Sequence, residues 1–276
     1  MSVSSVVNQS GVGRWIAALG LPSGCRVDQR VPKKMLLENG APTAADKRLI
    51  TEAIEEIRWV AALKPNTIGV PSYRDTLREY LEIAVLAVTL RGVVKPSSHS
   101  RLAELVHRAV PYPVLLLLIE GQALTLSLAH KRWAQNEADK VVLEGDLQMA
   151  QMGTDMSREN SSIDLYEPAS SVDQAFLASL ALSSQPQATL HALYQGWMDC
   201  VQALLAARLT GRYRTPRSPE QAATRRQALA ECERLEAEIS RLRGQAAKEK
   251  QLARQVELNL TLKRVQAELA AAREKL

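Results

Sequence analysis

Glu82 and Glu120 each flank a predicted strand, where a metal-dependent nuclease places carboxylates that converge on a cation. Such a site also wants a lysine close by to polarise the attacking water. Neither carboxylate has one two residues on, since Ala84 follows Glu82 and Gln122 follows Glu120. Solvated strand-end carboxylates are the better reading. His99, His107, His130 and His191 fall in no metal-ligand spacing, and structural or surface roles are expected of them. Cys25, Cys200 and Cys232 are odd in number and far apart, which predicts reduced, mostly buried thiols and no disulfide framework. The sequence holds no Gly-x-x-x-x-Gly-Lys-Ser/Thr loop and no Gly-x-Ser-x-Gly elbow, and Gly11-Val12-Gly13 lacks the third glycine of a dinucleotide fingerprint. These residues nominate no catalytic side chain, no metal and no cofactor.

Two basic clusters remain. The first joins Lys33 and Lys34 with Asp46, Lys47, Trp59 and Lys64. Its lysines could meet phosphate or an acidic partner, with Trp59 as an anchor on the same predicted helix as Lys47. A solvated helix face with Trp59 in the core is the plainer alternative. The second is His130-Lys131-Arg132-Trp133, whose Lys131 and Arg132 could touch a phosphate backbone from the end of a strand. A solvated strand terminus explains them more simply.

The elements that must position these residues belong to an α/β chain, with α+β as the other arrangement of the same pieces. Thr43 reads as an N-cap, and Ile50, Ala53, Ile54, Ile57, Val60 and Ala61 recur at helical spacing, predicting a helix to about Leu63. Pro65 ends it, and a brief Thr67–Val70 strand follows. Val27–Val31, Leu81–Leu90, Val114–Ile119, Ala123–Ala129 and Lys140–Leu143 read as further strands, and Ser100–Val110 as a crossover helix. A mixed sheet of about four to six strands is expected. Pro111, Pro113 and the Glu120-Gly121-Gln122 turn break the apolar run from Ala109 to Ala129, so no bilayer span is expected there. The first 20 residues show no basic, then apolar leader, and a soluble cytoplasmic protein is the expectation.

The body is expected over 1–150, a polar linker over 151–171, a helical extension over 172–211 and a tail over 212–276. The chain carries 35 Lys+Arg and 30 Asp+Glu, a net of +5. Residues 212–276 hold 15 of the former and 9 of the latter, and the rest of the chain is close to neutral. The basic excess is therefore a property of the tail. Ser218-Pro219-Glu220-Gln221 opens a helix with an N-cap, a proline at N1 and a glutamine at N3. A heptad frame through Ala228, Cys232, Leu235, Ile239, Leu242 and Ala246 forms an apolar seam that resumes at Ala253, Val256 and Leu260. A second, offset frame runs through Leu258, Leu262, Val265, Leu269, Ala272 and Leu276. The expected coiled-coil interface is Leu235, Ile239, Leu242, Val256, Leu260, Leu262, Val265 and Leu269. Gly244 marks either a kink or the turn of a helical hairpin.

Several separated motifs resemble a bacterial family known as domain of unknown function 4391. They are Val31-Pro32-Lys33-Lys34, Asp46-Lys47 leading to Trp59, Leu63-Lys64-Pro65-Asn66-Thr67-Ile68, Pro111-Tyr112-Pro113-Val114, and Lys248-Glu249-Lys250-Gln251 with Arg254-Gln255-Val256-Glu257-Leu258-Asn259. The likeness runs from about residue 20 to the end, with Leu252 standing where an aromatic residue is expected. The resemblance implies a genetic setting beside DNA methyltransferases and helicases in restriction-like, anti-phage systems, and carries over no catalytic residue. The expected function is a non-catalytic accessory subunit that binds a helicase or methyltransferase partner. The alternatives are a DNA-binding module using the basic tail, a divergent metal-dependent nuclease, and a homodimer formed through the tail.

Overall fold

Residues 11–121, 123–134, 141–152 and 171–276 are described by the computed structural model. In chain order the first elements are α1 (Gly11–Ala18), β1 (Arg26–Arg30), α2 (Lys33–Asn39), α3 (Ala44–Ala53), β2 (Ile54–Leu63) and α4 (Pro65–Ile68). A two-stranded ribbon, β3 (Tyr73–Arg74) and β4 (Glu79–Tyr80), precedes β5 (Ile83–Leu90), α5 (Pro96–Ala109), β6 (Val114–Glu120), β7 (Ala123–Trp133) and β8 (Val141–Met152). The helices α6 (Ser171–Ser179), α7 (Leu190–Thr210), α8 (Pro219–Lys248) and α9 (Leu252–Arg273) complete the chain. By its internal contacts it divides into two units, Met1–Val201 and Gln202–Leu276.

The first unit is α/β. Its mixed six-stranded sheet has the order β1-β2-β5-β6-β7-β8. Only β5 and β6 are parallel, because α5 carries the chain back to the starting end of the sheet between them. Ala84, Leu86, Val88, Val114, Leu116 and Leu118 pack on one face against Leu36, Ile50, Leu102, Leu105 and Val106 of α2, α3 and α5. The alternating residues Ile83, Val85, Leu115 and Leu117 are buried as well, so the central strands are covered on both faces and read as continuous apolar runs. On the other side α1 packs on β7, and Trp15 of α1 meets Phe176 of α6 edge-on at 6.0 Å. Gly40 lets α2 approach α5 closely: a Cβ there would stand 2.5 Å from the Leu105 carbonyl oxygen. β1 is one margin of the sheet, largely exposed, with a bulge between Arg26 and Gln29 and a left-handed Asp28 at φ 49°.

Several expectations change. The helix that opens at Thr43 stops at Ala53, and Ile54–Leu63 is a strand. β2 carries bulges between Ile54 and Glu56 and between Trp59 and Ala61. Each bulge adds a residue to the two-residue strand period, so the fully buried Ile54, Ile57 and Val60 recur every third position and imitate a helix. The Thr67–Val70 strand is replaced by the single helical turn α4, which Pro65 opens and Gly69, at φ 72°, closes. β8 extends to Met152, well past the Leu143 expected; Lys140 and the linker residues 153–170 lie outside the described residues.

The second unit holds the end of α7 and an antiparallel pair, α8 and α9. The Ser218 hydroxyl accepts from the Gln221 amide at 3.3 Å, the cap expected from the sequence. Cys232, Leu235, Ile239 and Leu242 of α8 meet Val265, Leu269 and Ala272 of α9, and Leu258, Leu262 and Leu276 pack against them. The two heptad frames are thus the two sides of one hairpin seam. Gly244 is not the turn. α8 runs through it, and the chain reverses at Glu249–Gln251, where Glu249 Oε1 accepts from the amides of Lys250 and Gln251 at 2.9 Å each. Val256 and Leu260 do not belong to the seam; they are 51% and 63% exposed, on the opposite face of α9 with Leu252.

Candidate functional site

A close group of ionisable and aromatic side chains gathers in the first unit where the β3–β4 ribbon, β7, β8 and α7 meet. Asp75 turns the ribbon by accepting from the amides of Leu77 and Arg78 at 2.7 and 2.6 Å, and its other oxygen receives the Tyr73 hydroxyl at 2.7 Å. The Leu77 carbonyl accepts from the Trp133 amide and ties the ribbon to β7. Arg78 then forks onto Glu144 of β8 at 2.6 and 2.5 Å, a bidentate pair. Within this frame His191 stacks between Tyr73 (4.8 Å) and His130 (5.2 Å), and Tyr80 stands edge-on to both histidines.

Hydrogen bonding fixes the tautomer of His130. Gln195 Nε2 donates to Asp199 at 2.8 Å, so Gln195 Oε1 faces His130 and must accept from Nε2–H at 2.8 Å. Nδ1 is then the acceptor for the buried Tyr80 hydroxyl at 2.5 Å. Burial pushes the His130 pKa down to about 4, against the opposing hydrogen bond to Gln195, and raises that of Tyr80, so the His130 imidazole is neutral at pH 7. Burial also lowers His191.

One turn from His191, Tyr194 completes the sheet itself. The β6–β7 pairing stops at Leu116–Ser127, and beyond it the Tyr194 hydroxyl accepts from the Ala129 amide (2.9 Å) and donates to the Val114 carbonyl (2.7 Å). Tyr194→Phe leaves both backbone groups buried without that partner and is expected to cost about 2 kcal/mol. Urea unfolding followed by tryptophan fluorescence measures it; an unchanged midpoint contradicts the bridging role.

The residues nominated by the sequence do not assemble into one basic surface. Lys34 is exposed and pairs with Glu38 at 3.5 Å, and Lys47 lies on the exposed face of α3. Asp46 is buried, and the Arg101 guanidinium and Thr43 hydroxyl hold its carboxyl well below the usual carboxylate range. Trp59 is not on the helix of Lys47; it sits half-buried on β2, donating to the Ala61 carbonyl at 2.9 Å and packing on the core. Lys131 is not a solvated strand end. It is 3% exposed, and its ammonium donates to the Val110 and Tyr112 carbonyls, pinning the α5–β6 connection. Burial pulls its pKa down to about 7. Arg132, half-buried, donates to the Trp133 carbonyl at 3.2 Å. Lys33 lines a cavity of about 370 Å³ together with Arg30, Val31, Pro32, Glu55, Glu56 and Ile57, and its ammonium donates to the Ile54 carbonyl.

Lys64 forms an ion pair with Glu82 at 3.0 Å, which joins two residues chosen on separate grounds. Glu120 lies 3.1 Å from His99 and accepts from the Val94 amide. Glu82 precedes β5 and Glu120 ends the parallel β6, so they stand roughly 25 Å apart along the strands and cannot share one cation. His107 and Ser127 are a hydrogen-bonded pair at 3.1 Å, but both are 0% exposed, and no substrate can reach them. The thiols Cys25, Cys200 and Cys232 are free and buried, as expected. Among the described residues no helix is long and apolar enough to cross a membrane.

A family model described as domain of unknown function (DUF4391) matches residues 19–269. The chain belongs to this family. No curated protein and no solved structure matches it. The DUF4391 match takes in the sheet, the histidine–tyrosine cluster and nearly all of the helical hairpin, so body and tail are parts of one family unit. The cluster itself escaped the sequence reading, because its members come from four distant segments. His191, Tyr194 and Gln195, at positions i, i+3 and i+4 of one helix, were the available signal.

Proposed function

We propose that this DUF4391 protein is a non-catalytic accessory subunit of a bacterial DNA-modification or anti-phage system, acting in the cytoplasm by binding a helicase or methyltransferase partner. One observation carries the reading: Leu252, Val256 and Leu260 form an exposed apolar row, spaced by four, on the face of α9 turned away from the hairpin seam. The seam already satisfies the hairpin, so the row is surplus to its folding. Rows of this spacing are what a helix inserts into an apolar groove on a protein partner. The choice of a helicase or methyltransferase as that partner rests on the genetic setting that the resemblance implies.

Co-expression with a helicase and with a DNA methyltransferase of the restriction-like systems that the resemblance implies, followed by size-exclusion chromatography, tests the proposal. Wild-type protein is expected to co-elute with one of them. The combined Leu252→Gln, Val256→Gln and Leu260→Gln variant should keep its helical circular dichroism and lose the complex. A complex that survives the triple change removes the row from the interface. A homodimer in light scattering that the same change dissolves would instead assign the row to a second copy of this chain and defeat the proposal.

A further inference from the structure

The hairpin distributes its charge unevenly. Several arginines of α8 and α9 are tied to carboxylates of the same unit: Arg234 to Glu231 and Glu238, Arg241 to Glu238, Arg264 to Glu268, and Arg273 to Glu236 across the seam at 2.8 Å. At the hairpin turn, Arg254 pairs with Glu249 at 3.9 Å, which sets a carboxylate amid the cations there. Exposed pairs of this kind add little to stability, and their main effect is to cancel charge.

The segment between α7 and α8 is different. Arg212, Arg214 and Arg217 are all exposed, and among the described residues none of them forms an ion pair. Residues 211–218 include no acidic side chain, and the first to follow, Glu220, lies in the opening turn of α8. Pro216 and Pro219 explain the difference. They keep the segment out of helix, where a neighbouring turn would have offered glutamates at four-residue spacing. From Arg212 to Arg217 the chain spans at most about 18 Å, over which a duplex presents on the order of ten phosphates. Guanidinium groups fork onto such oxygens and are weakly hydrated, which favours them over lysines for this contact.

We infer that Arg212, Arg214 and Arg217 form a contact site for the phosphate backbone of duplex DNA. The site is separate from the apolar row of α9 and does not depend on a protein partner. It positions the protein on DNA without reading sequence, since contacts to phosphate carry no base information.

The test uses the full chain and a short mixed-sequence duplex, with affinity measured across a salt series. Three neutralised phosphates contribute about 2.7 units to the log–log slope, so the Arg212→Gln, Arg214→Gln, Arg217→Gln variant should lose about that much. All three side chains are exposed outside regular structure, and unchanged circular dichroism verifies the fold. A control variant, Arg243→Gln, Lys248→Gln, Lys250→Gln, removes the same charge near the turn and should leave the slope close to wild type. Equal losses in the two variants would reduce the effect to net charge and overturn the assignment. So would a wild-type chain that fails to bind the duplex at low salt, or one that binds polyglutamate of matched charge more tightly than DNA.

Discussion

Lowering the pH from 7 to 4 will destabilise the first unit by about 3 kcal/mol through His130 alone. An unfolded histidine titrates near 6.5, whereas burial holds the folded His130 at about 4. Between those values the unfolded chain binds a proton that the folded chain refuses, so acid favours unfolding. The contribution is whole above about pH 6.5, declines as the pH falls, and is spent below about 4. The neighbouring charges do not reverse this. Arg78 and His191 disfavour the imidazolium, Glu144 favours it from β8, and desolvation outweighs them all. His107, fully buried and beside Lys131, adds to the effect in the same direction. Trp15, Trp59, Trp133 and Trp197 all lie in the first unit, so tryptophan fluorescence in urea reports on it without the hairpin. The gap in stability between wild type and His130→Asn should close by about 3 kcal/mol between pH 6.5 and pH 4. A gap independent of pH would show that His130 is not held neutral.

The hairpin seam gives the other large effect. Leu235 is 1% exposed among Ile239, Leu242, Val265 and Leu269, and Leu235→Ala opens a cavity expected to cost about 2–5 kcal/mol. A pair of helices of this size has little more than that to lose, so a fraction of the helical signal should melt early in thermal circular dichroism. Leu260→Ala, at a position 63% exposed, should cost under about 0.5 kcal/mol. Comparable losses from the two would mean that the apolar face of α9 has been assigned the wrong way round.

That assignment shows what periodicity can and cannot carry. The α8 frame from Ala228 to Ala246 was legible because a single heptad stripe faces a single partner, and all six of its residues are buried. On α9 two apolar stripes compete, and spacing alone does not say which one α8 covers. Burial decides for Leu258, Leu262, Val265 and Leu269 over Val256 and Leu260. In the sheet, β5, β6 and the first part of β7 were readable from their runs of aliphatic residues. β2 was not, because its two bulges turned a strand period into something close to a helical one. Lys131 and the histidine–tyrosine cluster failed for a different reason. Whether a lysine or a histidine faces water depends on what distant segments lay over it: here the Pro111–Pro113 connection in one case, and the ribbon and α7 in the other.

β1 has a bearing on how the sheet behaves among copies of itself. Val114–Ile119 is a run of six aliphatic residues, the kind of segment that stacks into intermolecular β-structure when strands are free to template one another. It lies in the middle of the sheet, and the margin nearest to it on the β5 side ends in a strand poorly suited to templating. The bulge interrupts the ladder of β1, Asp28 bends it away from extended geometry, and Arg26 and Arg30 set like charges where an identical edge would dock. The irregularity of this margin thus makes it a poor template for a second copy of the sheet.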